Sequence, residues 1–150
     1  MGGLKMEKVF WRDEYSVGVE EFDRQHRHLF EIINKLTARP NTSPDLKLVC
    51  QTLKEMSDYA KEHFTAEEKL MQQYGYPEIE SQKKQHAYFL KTTTELSAYP
   101  VNDKEESIDE IAEFLNVWWI IHILRWDMKY KDFFKDKLPD ARCEAKTSSS

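Results

Sequence analysis

The chain has 150 residues, a length that closes one hydrophobic core and leaves little for a second. With 40% hydrophobic and 33% charged residues it is too apolar for a disordered chain and too charged for a membrane protein. Lys+Arg 22 against Asp+Glu 27 leaves a net charge of -5, which repels phosphate backbones and argues against nucleic acid as a partner.

Residues 1–18 read as an arm carrying Trp11, residues 19–138 as a bundle with a terminal helix, and 139–150 as a disordered tail, all in one domain. The opening MGGLKMEK carries charges where a secretion signal needs an apolar run, and no stretch suits a membrane span, so a cytoplasmic protein is expected. Cys50 and Cys143 stand far apart without a CxxC pattern, so neither a disulfide framework nor a zinc ribbon is written here. Only 4 Gly and 5 Pro are available, too few for the frequent turns of an all-β fold. The remaining class is all-α.

Turn residues cluster at 39–44 (RPNTSP), 74–77 (YGYP) and 99–103 (YPVND), which divides the chain into four helices. Ser43 with Pro44 suits a helix start, Pro77 opens the third helix and Pro100 follows its end. In each helix an apolar stripe recurs at alternating spacings of three and four, the mark of a face turned toward neighbours. Polar residues interrupt all four stripes: His26 in the first, His63 and Glu67 in the second, Gln82 and His86 in the third, His122 in the fourth, which runs on to Trp126.

Short connections favour an up-down-up-down antiparallel four-helix bundle. In that arrangement His26 lies early in a rising helix, His63 and Glu67 late in a falling one, Gln82 and His86 early in the next, and His122 late in the last. All six gather at one end. Buried imidazoles, a carboxylate and an amide need partners, since an unsatisfied polar group costs on the order of 1–3 kcal/mol. A direct His–carboxylate network would serve any one of them, but a common level on four facing stripes points to a metal centre. Iron, manganese and zinc all suit this donor set. Asp127 follows His122 by five residues, which an ideal helix rotates about 140° away. A π-bulge or local unwinding is needed to bring it inward.

DRQH at 23–26, HFTAEEKLM at 63–71, the YGYP turn, WWIIHILRWDMKY at 118–130 and the leading WRDEYSVGVEEFD at 11–23 resemble the hemerythrin family, in its single-domain bacteriohemerythrin form. The resemblance spans about residues 9–135. It implies two iron ions with an oxo or hydroxo bridge and reversible binding of dioxygen for storage, delivery or sensing, by a monomer that is not an enzyme. By the same resemblance His26 and His63 would ligate one iron, His86 and His122 the other, and Glu67 and Asp127 would bridge them. Asp127 enters the set on this ground alone.

Two residues depart from the family pattern. Gln82 stands where the family places a third histidine for the second iron; its amide would either ligate or leave that position to water. Trp119 stands where the family usually has leucine near the dioxygen pocket, and would narrow that pocket or serve only as core. A coordination position left open near Gln82 keeps a second reading in play: a di-iron oxidase, a peroxidase-like enzyme or one that reacts with nitric oxide. A member with one metal or none, serving as a helical interaction module, is a third. His28 falls off the stripe and reads as solvated, while Tyr130 and KDFFKDKL read as a short helix covering the ligand end.

Overall fold

The computed structural model describes residues 8–37, 46–98 and 105–138. Helices α1 (Glu20–Thr37), α2 (Leu46–Tyr74), α3 (Ile79–Ala98) and α4 (Glu105–Ile121) are followed by a π-helical turn, His122–Asp127, and a short α5, Met128–Lys135. No strand occurs among the described residues. The Ser43-Pro44 cap, the turn at 99–103 with Pro100, Cys143 and the tail at 139–150 lie outside them.

α1 packs against α2 and α4, and α2 against α3. Phe89 of α3 closes the ring by meeting Phe114 and Trp118 of α4. His26 near the start of α1 meets His63 in the second half of α2, so successive helices run antiparallel. The core is a continuous stack of Leu, Ile, Met and aromatic side chains, with Leu29, Leu53, Phe89 and Leu115 fully buried. Burial of this kind contributes roughly 25 cal/mol per Å² of apolar surface, and it sets the level at which each helix stands.

α2 ends as its sequence directs. Gly75 adopts φ 68, a left-handed conformation that a glycine reaches without steric cost. Gly75 N–H then bonds Gln72 O at 3.3 Å and Tyr76 N–H bonds Met71 O at 2.8 Å, which satisfies two carbonyls of the last turn. Pro77 follows in the turn, two residues before α3 begins. The arm is held as firmly. Val9 exchanges two 2.8 Å hydrogen bonds with the Asn34 amide, and Asp23 accepts from Ser16 Oγ at 2.6 Å and Val17 N–H at 2.8 Å. Trp11 packs on Phe30 beneath the Arg27 guanidinium.

The fourth stripe does not run on through Trp126. The π turn carries one residue more than an α-helical turn, shown by Met128 N–H bonding Ile123 O five positions back. That extra residue turns Asp127 inward, fully buried, and leaves Trp126 half-buried under the Lys129 ammonium. α5 then folds over this end of the bundle, burying Tyr130 and Phe134 against Tyr74 and Tyr76. No described helix is long and apolar enough to cross a membrane.

Candidate metal centre

Each helix delivers its polar residues to one level because the apolar stripe around them fixes its rotation. His26, His63, Glu67, Gln82, His86, His122 and Asp127 are all at most 2% exposed. Their donor atoms form two groups joined at Glu67: His26, His63, Glu67 and Asp127 in one, Glu67, His86 and His122 in the other, each within 4.8 Å. His63 Nε2 lies 3.1 Å from Glu67 Oε1, and His86 Nε2 lies 3.5 Å from the same oxygen. Asp127 spans likewise, with Oδ2 3.4 Å from His26 Nε2 and Oδ1 3.1 Å from His122 Nε2. The Gln82 amide donates to Asp127 Oδ1 at 3.2 Å.

These atoms do not satisfy one another. Glu67 Oε1, Asp127 Oδ2, Gln82 Oε1, His86 Nε2 and His122 Nε2 are buried without a hydrogen-bond partner, and His26 Nε2 faces His63 Nε2 at 2.9 Å. Two ring lone pairs at that separation repel unless a proton or a cation lies between them. Two carboxylates and four imidazoles gathered in one buried cluster fit divalent metals of the iron, manganese or zinc type. The electrostatics agree. Burial alone would raise both carboxyls, yet His122 and His26 hold Asp127 well below the usual range, and His63 and His86 lower Glu67 despite the Asp127 charge. Burial pushes His63 down, whereas beside Asp127 the burial penalty on His122 is outweighed and its pKa is raised.

A second layer fixes the rings. His63 Nδ1–H donates to Gln25 Oε1 at 2.6 Å, His86 Nδ1–H to Glu68 Oε2 at 2.7 Å, and His122 Nδ1–H to Gln85 Oε1 at 3.0 Å. All three oxygens only accept, so each ring keeps its proton at Nδ1 and presents the Nε2 lone pair to the centre. Each acceptor sits on the preceding helix: α1 serves α2, α2 serves α3, α3 serves α4. His26 Nδ1 has no hydrogen-bond partner among the described residues. Tyr130 reaches over from α5 to donate to Glu67 Oε2 at 2.5 Å.

Residues 17–134 match the hemerythrin HHE cation binding domain. The chain belongs to the hemerythrin family. A bacteriohemerythrin of Stenotrophomonas maltophilia is 32% identical over 133 residues, covering 89% of this chain and 86% of the relative. The myohemerythrin of Theromyzon tessulatum is 33% identical over 121 residues, 81% of this chain and 89% of that one. Among solved structures, a leucine-to-phenylalanine mutant superposes with a TM-score of 0.69 at 25% identity, over 85% of this chain and 97% of the other.

In this hemerythrin-family bundle the wall of the pocket is aromatic. Trp119 is fully buried, its ring centroid 6.2 Å from that of His26 and 5.9 Å from that of His63. Phe64 stacks on His86 at 3.9 Å and Trp118 on His122 at 4.5 Å. His28 stays half exposed against Tyr59, away from the centre. Sequence reasoning found the seven inward residues but missed Gln25, Glu68, Gln85 and the Tyr130 hydroxyl. The signal was adjacency: Gln25, Glu68 and Gln85 each neighbour a residue of the stripe, which places them on the flank that faces the next helix.

Proposed function

We propose that this chain holds two iron ions and binds dioxygen reversibly, as a store, carrier or sensor. His26 and His63 would hold one ion, His86 and His122 the other, with Glu67 and Asp127 shared between them. The observation that carries this reading is the meeting at one level of buried imidazoles and carboxylates from α1, α2, α3 and the π turn, with Glu67 Oε1, His86 Nε2, His122 Nε2 and Asp127 Oδ2 unpartnered. Relatives named bacteriohemerythrin and myohemerythrin support carriage over turnover.

When bound by these residues, ferrous iron would supply the electrons for a reversible reaction with dioxygen. The protein's part is to orient and to keep dry. Nδ1 donation by His63, His86 and His122 aims their lone pairs inward, and Tyr130 holds Glu67 by one oxygen. Phe64, Phe89, Trp119 and Ile123 exclude water, which protects a reversible reaction from solvent protons. Gln82 takes the place of a third histidine on the His86 side, and its N–H on Asp127 makes it a hydrogen-bond donor to the shared carboxylate.

The test is iron content with the absorption spectrum under and without air. Two irons per chain and near-ultraviolet and visible bands that appear with oxygen and vanish on its removal support the reading. Iron-free protein, or bands that bleach irreversibly, would sink it.

A further inference from the structure

The acceptors behind the three oriented imidazoles differ in charge. His63 and His122 donate to the neutral amides of Gln25 and Gln85, whereas His86 donates to a carboxylate, Glu68 Oε2, at 2.7 Å. A carboxylate draws the Nδ1 proton toward itself and leaves more electron density at Nε2, which makes the ring a stronger metal donor than an amide-bonded one.

This charged acceptor stands on the looser side of the centre. His26, His63, Glu67 and Asp127 offer atoms that all lie within 4.8 Å of one another, whereas on the α3/α4 side only Glu67, His86 and His122 do so, and Asp127 joins them through His122 Nε2 at 3.1 Å. Gln82 stands four residues before His86 on α3, but its N–H is spent on Asp127 Oδ1, and an amide oxygen is a weaker donor than an imidazole. We propose that Glu68 offsets the weak donor at Gln82: its negative charge strengthens His86 and so retains the metal ion on the α3/α4 side. The proposal rests on the two-metal reading given above. Glu68 touches no metal itself; it is a positioning residue, with its side chain 28% exposed at the edge of the pocket. It follows Glu67 directly, about 100° further round α2, which turns it toward α3.

The experiment is an anaerobic titration of the metal-free full chain with ferrous ion, and in parallel with Co2+, whose d–d absorption reports the ligand field. Wild type, E68Q, Q82H and the double variant are compared. E68Q keeps the hydrogen-bond acceptor and removes only the charge, and circular dichroism checks that each variant retains its helix content. The first ion should bind E68Q as it binds wild type, and the second roughly 10–100-fold more weakly, with a shifted Co2+ spectrum for that ion. In the Q82H background the same charge removal should cost much less. Equal binding of both ions by E68Q and wild type, equal weakening of both, or an undiminished loss beside Q82H would overturn the proposal. Wild type that takes up fewer than two ions overturns the two-metal reading itself, and this inference with it.

Discussion

The Tyr130 hydroxyl and Glu67 Oε2 are joined by a 2.5 Å hydrogen bond that crosses from α5 to α2, entirely inside the protein. The bond ties the covering helix to a carboxylate shared by both halves of the centre. Burial, with Asp127 and Glu67 nearby, raises the Tyr130 pKa well above the ordinary phenol value, so the hydroxyl remains a donor throughout the working pH range. Y130F should lower the stability of the metal-free protein by about 1–3 kcal/mol, since it strips a buried carboxylate oxygen of its partner. Urea denaturation of both proteins measures this, and an unchanged midpoint would show that the bond carries no weight.

Asp127 governs the protonation of His122. Burial pushes this imidazole toward neutrality, and the Asp127 charge 3.1 Å away more than reverses that. In metal-free D127N the His122 pKa should therefore fall below the usual value of about 6.5, where wild type lies above it. Histidine NMR titration reads both directly.

The same shifts fix how metal-free stability responds to pH. His63, lowered by burial, contributes stability above its unfolded pKa that is lost as pH falls toward its folded value. His122, raised in the fold, contributes below its unfolded pKa and loses that contribution as pH rises through its folded value. His63 acts below pH 6.5 and His122 above it, so the two together place a stability maximum near pH 6.5. Glu67 and Asp127, both lowered, contribute above the carboxylate range near pH 4 and lose that stability on further acidification. Chemical denaturation from pH 8 to pH 3 should show a maximum near pH 6.5 and a steeper fall below pH 4, and stability that climbs steadily from pH 6.5 to pH 8 would contradict it. Loaded with metal, the protein should gain stability that declines with acid, because the ligands must shed protons to bind.

Trp119 sets the space beside His26 and His63. W119L should cost about 2–4 kcal/mol, less than the ~3–5 kcal/mol of truncating a buried Trp to Ala because leucine refills part of the space, and open a cavity next to the α1/α2 donors. Azide, a small probe of open metal positions, should then bind the iron-loaded oxidised protein faster than it binds wild type in stopped-flow mixing. Equal rates would place the entry route elsewhere.

Much of this was legible in the sequence because helical periodicity and burial act together. His26, His63, Glu67, His86 and His122 declared themselves as polar residues on apolar stripes, and their common level followed from antiparallel order. Asp127 did not, since its place depends on a π turn, a backbone irregularity that spacing can demand but not reveal. Trp126 was misread for the same reason. For Gln25, Glu68 and Gln85 the sequence offers adjacency to the stripe and no more, because their hydrogen bonds join flanks of neighbouring helices, and flank contacts depend on crossing geometry rather than period.

The chain of acceptors running from α1 to α4 has a beginning but no closure, for nothing on α4 answers the Nδ1 of His26. Three rings are clamped at Nδ1 by a neighbour, while the ring on α1 is met only at Nε2, by His63 and Asp127. His26 is thus the one imidazole of the centre whose tautomer no acceptor on an adjoining helix dictates.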